Sequence, residues 1–115
     1  MYGRKAIMTK VNPSDPNSTL RLFAQSLVNN DYYDIIVENL LDTPGFVNKS
    51  QCLVESKSNT TIVALVVFDT KENFDAYAND PATTSIFNAL QQSAQASNVN
   101  LQIVDGGDDV LTFNV

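Results

Sequence analysis

Residues 60–68 read TTIVALVVF, and this segment leaves the chain few ways to fold. It is β-branched almost throughout, which favours an extended backbone. In a strand, successive side chains point to opposite faces. Ile62, Ala64, Val66 and Phe68 then share one side, and Val63, Leu65 and Val67 share the other. A strand that is apolar on both sides needs cover on both sides. The fold must therefore place this segment inside a sheet and put something on each face of it.

The rest of the chain supplies partners for that strand. Residues 5–11 alternate as a strand, with Ile7, Thr9 and Val11 on one side and Ala6, Met8 and Lys10 on the other. Residues 12–19, NPSDPNST, form a loop by their proline and asparagine content. Leu20, Phe23, Ala24, Leu27 and Val28 then mark one face of a helix, with Ser18 as its cap. After the break at 29–31, Tyr33, Ile36, Val37, Leu40 and Leu41 repeat the spacing, with Asp31 as cap. Thr43-Pro44-Gly45 ends that helix, because a residue before proline is pushed out of helical geometry.

Residues 47–56 alternate as a second strand, and Lys57-Ser58-Asn59 turns the chain into residues 60–68. Asp69 or Thr70 caps the next helix, with Glu72 placed for a capping box if Asp69 is the cap. Phe74, Tyr77 and Ala78 form its apolar side. Asp80-Pro81 restarts a helix whose buried face is Ile86, Phe87, Leu90 and Ala94, and Asn98 closes it. Residues 99–104 are a fourth long strand. Asp105-Gly106-Gly107 is a turn, and 110–115 a short terminal strand. The order β-α-β-β-α-β predicts a ferredoxin-like α+β domain spanning 1–115: a four-stranded antiparallel sheet with helices on one face.

Helices about 10 Å across cover one face of such a sheet and no more. The other face needs a second cover. A second copy of the sheet is the simplest, since two-fold pairing is the commonest symmetry. A homodimer packed sheet to sheet is the expectation, and a monomer with a loop laid across the strand is the alternative.

Composition narrows the chemistry. The 115 residues are 43% hydrophobic and only 17% charged, with a net charge of −6. An acidic surface repels phosphate backbones, so nucleic acid is not an expected partner. Histidine is absent and cysteine occurs once. The usual general base and the usual metal and haem ligands are therefore missing, and neither metal nor cofactor is expected. The longest apolar run, 62–68, is strand-sized, so no membrane association is expected, and a cytoplasmic location is.

Several groups invite a functional reading. Tyr32, Tyr33 and Tyr77 lie on helices and could orient a carbonyl or carboxylate, or pack with their hydroxyls in solvent. Arg4, Lys5, Lys10 and Arg21 gather positive charge near the first strand and helix, as an anchor for an amphipathic acid or as ordinary surface charge. Asp31, Asp34 and Glu38 read as a solvated stripe, Cys52 as a small core residue, and Asp105, Asp108 and Asp109 as a polar turn. The expected pocket lies between helices and sheet. Its lining is Leu27, Tyr33, Ile36, Leu40, Phe68, Phe74, Tyr77, Phe87 and Leu90, suited to a small apolar, aromatic or acyl-chain ligand.

Three stretches resemble the dimeric α+β barrel superfamily, in particular the antibiotic biosynthesis monooxygenase-like proteins. They are LLDTPGFVNKSQCLVES, TTIVALVVFDTKENFDAYANDP and the closing strand after the second helical region. NPSDPNSTLRLFAQSLVNN lies outside them and reads as an insertion. The resemblance implies sheets paired in a dimeric barrel, with a pocket between helices and sheet in each subunit. It also implies a possible activity, as a cofactor-independent monooxygenase or isomerase on an aromatic or polyketide-like substrate. Members of the family often carry tryptophan where this chain has Phe68, and histidine on the following helix. Neither residue type occurs here.

Overall fold

The computed structural model describes residues 1–47, 54–58 and 60–115, with the backbone alone described at 32, 33 and 54–57. Its elements are β1 (Tyr2–Lys10), α1 (Thr19–Asn29), α2 (Tyr32–Leu41), β2 (Val54–Ser58), β3 (Thr61–Phe68), α3 (Lys71–Ala78), α4 (Pro81–Ala96) and β4 (Val99–Gly106). β1 runs antiparallel to both β3 and β4 and lies between them. β2 is a five-residue edge strand along the far side of β3. Of the expected second strand over 47–56, residues 54–56 fall in β2, which runs on to Ser58; 48–53, including Cys52, lie outside the described residues, as does Asn59 of the expected turn.

Local chemistry explains most of the boundaries. The Thr70 hydroxyl accepts from the Asn73 amide, so Thr70 and not Asp69 caps α3. The Asp80 carboxylate accepts from the Ala82 amide, with Pro81 at the first helical position of α4. Ser18 and Asp31, expected as caps by type, make no side-chain cap bond. Asp31 instead bends the chain between α1 and α2 in the left-handed region, at φ 60°. Asn98 does the same after α4, at φ 57°. Gly45, at φ 82°, turns the chain out of α2 where a Cβ would meet Asp69 Oδ1 and Asn73 Nδ2 at 2.4 Å.

The helix-covered face of the sheet holds two apolar clusters. Leu20 and Phe23 of α1 pack with Ala94 and Val99 at one end. Both are almost fully buried, so the segment read as an insertion supplies core. Ala24 and Val28, expected on that buried face, are exposed. At the other end Leu40, Phe68, Phe74 and Tyr77 form an aromatic cluster.

The opposite face carries Val63, Leu65 and Val67, all buried. What covers them is the chain's own C-terminal segment. Residues 110–115 do not form the expected strand. After Gly106 the chain turns, with Val110 N and Leu111 N both donating to Gly107 O. Leu111 and Phe113 then pack, together with Val47, on the outer residues of β3. Lys5 Nζ, from the same face of β1, donates to Asn114 O. A Cβ at Gly106 would lie 2.5 Å from Val110 Cγ2, so only glycine lets the segment fold back this closely. The outer side of β3 is therefore covered within one chain by a loop laid across the strand as a strap, the cover given above as the alternative to a second copy of the sheet.

Candidate functional site

Four aromatic rings, tilted or edge-on to one another, cluster at the end of β3 that faces α3. Phe68 lies 4.9 Å from Tyr77 and 5.9 Å from both Phe74 and Phe46, centroid to centroid. Tyr2, at the start of β1, adds a fifth ring 5.2 Å from Phe74. The periodicity of α3 explains the inward pair: Phe74 and Tyr77 are three residues apart and share a helix face. Both are buried, as is Phe68. Ile36 and Phe87 pack against the same cluster and are only half buried.

A charged pair sits beside these rings. Arg4 lies opposite Asp105 in the β1–β4 ladder, on the helix-covered face. Arg4 Nε and Nη2 donate to the two carboxylate oxygens of Asp105 at 2.8 and 3.1 Å. The guanidinium carbon lies 4.6 Å from the centre of the Phe87 ring and 5.8 Å from that of Phe74. A cation over an aromatic face is attracted by the ring quadrupole. Arg4 is thus held near two rings and by a carboxylate. Its side chain is 13% exposed, against 36% for Asp105.

Tyr77 feels the same environment. Burial pushes its phenol up to about 12, with Arg4 acting downwards and Asp105 upwards. A phenol in that range stays protonated at neutral pH and serves as a hydrogen-bond donor, not as a base. Phe87, half buried, and Asp105, exposed, form the solvent-facing edge of this site. What the arrangement offers chemically is an apolar aromatic wall, a neutral phenol and one guanidinium.

Of the expected lining residues, Ile36, Leu40, Phe68, Phe74, Tyr77 and Phe87 come together here. Leu27 does not: it packs on the Leu20–Phe23 cluster at the other end of the sheet. Leu90 is buried on α4. The side chains of Tyr33 and Tyr32 lie outside the described ones. Tyr2 and Asp105 were missed, and Arg4 was read only as one of four gathered cations. The expected β1 began at residue 5, so the alternation that puts Tyr2 and Arg4 on the inner face with Ala6 and Met8 was lost. Asp105 was read as a turn, whereas β4 continues through it to Gly106.

The four gathered cations in fact diverge. Arg4 joins the inner site and Lys5 the outer face. Lys10 is buried against the 11–18 loop, donating to Asp15 O at 2.9 Å, Asn17 Oδ1 at 3.2 Å and Pro13 O at 3.4 Å. Arg21 is exposed. The carboxylates also part company, since Asp105 takes Arg4 and Asp108 lies 3.2 Å from the N-terminal amino group. Asp31, Asp34 and Glu38 are exposed, as expected of a solvated stripe. A shallow depression of about 240 Å³ lies away from these rings, between the 15–19 loop, α1 and the end of α4. None of the described helices is long and apolar enough to cross a membrane.

An antiparallel sheet ordered β2-β3-β1-β4 with helices packed on one face defines an α+β domain of ferredoxin-like type. No family model matches the chain, and no curated protein matches it. Among solved structures it is similar to a "putative antibiotic biosynthesis monooxygenase" from Deinococcus radiodurans, with 13% identity and a TM-score of 0.56 over 100% of this chain and 98% of that one. A second similar structure carries the same description and comes from Nitrosomonas europaea, with 15% identity and a TM-score of 0.47 over 94% and 99% of the two chains. At such identity the first likeness concerns the fold alone.

Proposed function

We propose that the protein binds a small apolar, aromatic or acyl-chain molecule between its helices and the inner face of its sheet. The observation that carries this reading is the placement of Phe87. It closes the aromatic cluster of Phe68, Phe74 and Tyr77, yet is itself only half buried. An apolar wall open at one edge, with a few polar groups there, is the usual form of a small-molecule site. The test is Nile red fluorescence on the wild type and on Phe87→Ala. A binding role predicts that the wild type takes up the probe and that the variant's affinity changes. Should the wild type bind neither the probe nor any acyl or aromatic ligand while the variant merely melts earlier, these residues are core and nothing more.

The assembly that goes with this reading is a homodimer joined across the outer sheet face. The strap changes what a partner meets there: the outward sides of Leu111 and Phe113, each half buried, take the place of bare strands. Sedimentation equilibrium at micromolar concentration tests it, and a species of 12.6 kDa there refutes it.

A second reading is a cofactor-independent monooxygenase or isomerase acting on an aromatic or polyketide-like substrate. Tyr77 favours it, because a buried phenol that stays protonated, beside a guanidinium, can polarise a substrate carbonyl. The name of the Deinococcus radiodurans protein lends it support. Oxygen uptake with a polyhydroxylated aromatic substrate, absent in Tyr77→Phe, is its test.

A further inference from the structure

The Arg4–Asp105 pair has more structure around it than a stabilising ion pair requires. It bridges adjacent strands on the helix-covered face, and its cation lies over the ring of Phe87 and near that of Phe74. Withdrawing charges from water is costly, and a partly buried pair of this kind is weak evidence of a stability role. The two partners are also unequal. Arg4 is almost enclosed, whereas the Asp105 carboxylate faces the solvent edge. Both carboxylate oxygens engage the guanidinium in the side-by-side geometry that any carboxylate can adopt.

We propose that Arg4 is the anion-recognising group of the ligand site and that Asp105 is its resting counter-ion, displaced when a carboxylate ligand binds. This rests on the binding reading above and names its ligand class: a planar aromatic carboxylic acid. The acid group takes the place of the Asp105 oxygens on Nε and Nη2. The ring lies against Phe87 at the edge of the cluster. The exchange of one carboxylate for another keeps the guanidinium neutralised throughout, so the enclosed charge is never left bare. Asp105, already at the solvent edge, is rehydrated as it leaves.

The test compares 2-naphthoate with its uncharged isostere 2-naphthamide, by titration calorimetry, on the wild type, Asp105→Asn and Arg4→Gln. The wild type is expected to prefer naphthoate by about tenfold, the range of one charge-assisted pair. Asp105→Asn removes the internal competitor and raises naphthoate affinity several-fold. Arg4→Gln abolishes the preference. If Arg4→Gln does not fold, the ratio of the two ligands in the wild type and Asp105→Asn decides. Equal binding of both ligands by the wild type overturns the anion site but leaves the apolar pocket standing. Binding of neither removes both readings. A loss of naphthoate affinity in Asp105→Asn overturns the role given to Asp105.

Discussion

The two faces of this sheet are closed by opposite means. The inner face is covered by helices whose side chains interlock: Phe68, Phe74 and Tyr77 each touch two others of the same cluster. The outer side of β3 is covered by Val47 and by Leu111 and Phe113 of the 107–115 segment, which lies outside any regular element. The strap's backbone bonds among residues 107–112 run to itself, and Lys5 reaches its Asn114 carbonyl from the sheet. Among the described residues, its grip on β3 is otherwise the apolar contact of Leu111 and Phe113. Burial on the two faces is nonetheless similar, since Val63 and Phe68 are both fully enclosed. Equal burial does not mean equal rigidity. A face closed by interlocked rings is fixed by many neighbours, whereas a face closed by a strap depends on a few half-buried contacts.

That contrast can be broken or sharpened by experiment. The largest expected effect is on the inner face. Phe68→Ala removes the ring that touches Phe46, Phe74 and Tyr77, and a loss of about 3–5 kcal/mol is expected in urea denaturation. A loss below about 1.5 kcal/mol would show that the cluster can collapse around the gap. On the outer face, Leu111→Ala with Phe113→Ala is expected to cost less, about 2–3 kcal/mol, because both side chains start half buried. Hydrogen exchange then distinguishes the two: the outer variant speeds exchange in 107–115 and leaves α3 protected. Loss of protection in both places would mean that the faces unfold as one unit.

Tyr77 gives the inner face a signature in pH. Its phenol is pushed up to about 12 by burial, above the usual value near 10. Below pH 10 the native and unfolded states both keep the proton, and the contribution is full. As pH rises from 10 towards 12 the unfolded chain loses a proton that the native state retains, so stability falls. The linkage is roughly 2–3 kcal/mol across that window. Tyr77→Phe is expected to flatten the fall of melting temperature over the same range, and an unchanged slope would place the phenol in water. The smallest effect belongs to a cap: Thr70→Ala loses the bond to the Asn73 amide and should cost about 1 kcal/mol in the same denaturation series.

How far the sequence was legible follows the same division. The two-sided apolarity of β3 was plain from residues 62–68, and with it the need for two covers. The inner cover was legible because helical periodicity names its own buried face, as Phe74 and Tyr77 do. The outer cover was not. Leu111 and Phe113 alternate as a strand would, and alternation says only that a segment is extended with one apolar side. It does not say whether that side pairs at a sheet edge or lies across a sheet face. Within the site, Arg4 was hidden for a related reason: a strand start set three residues late removed it from the alternation that aims it inward. Asp105 was hidden by its neighbours, since Asp-Gly-Gly reads as a turn wherever tertiary pairing does not override it.

The central place of β1 in the sheet has a consequence in time. Its pairing partners on either side are residues 61–68 and 99–106, so each ladder closes over a long span of chain. At about 5–20 residues per second, the last partner leaves the ribosome some ~5–20 s after β1. Until β3 emerges, β1 has both edges unpaired, and its β4-facing edge stays unpaired to the end of that interval. Contacts between distant parts of a chain also slow folding itself. Newly made protein therefore spends its most exposed moments as an open two-edged strand, and mutations that shorten or lengthen that wait should alter soluble yield before they alter the melting temperature of what has folded.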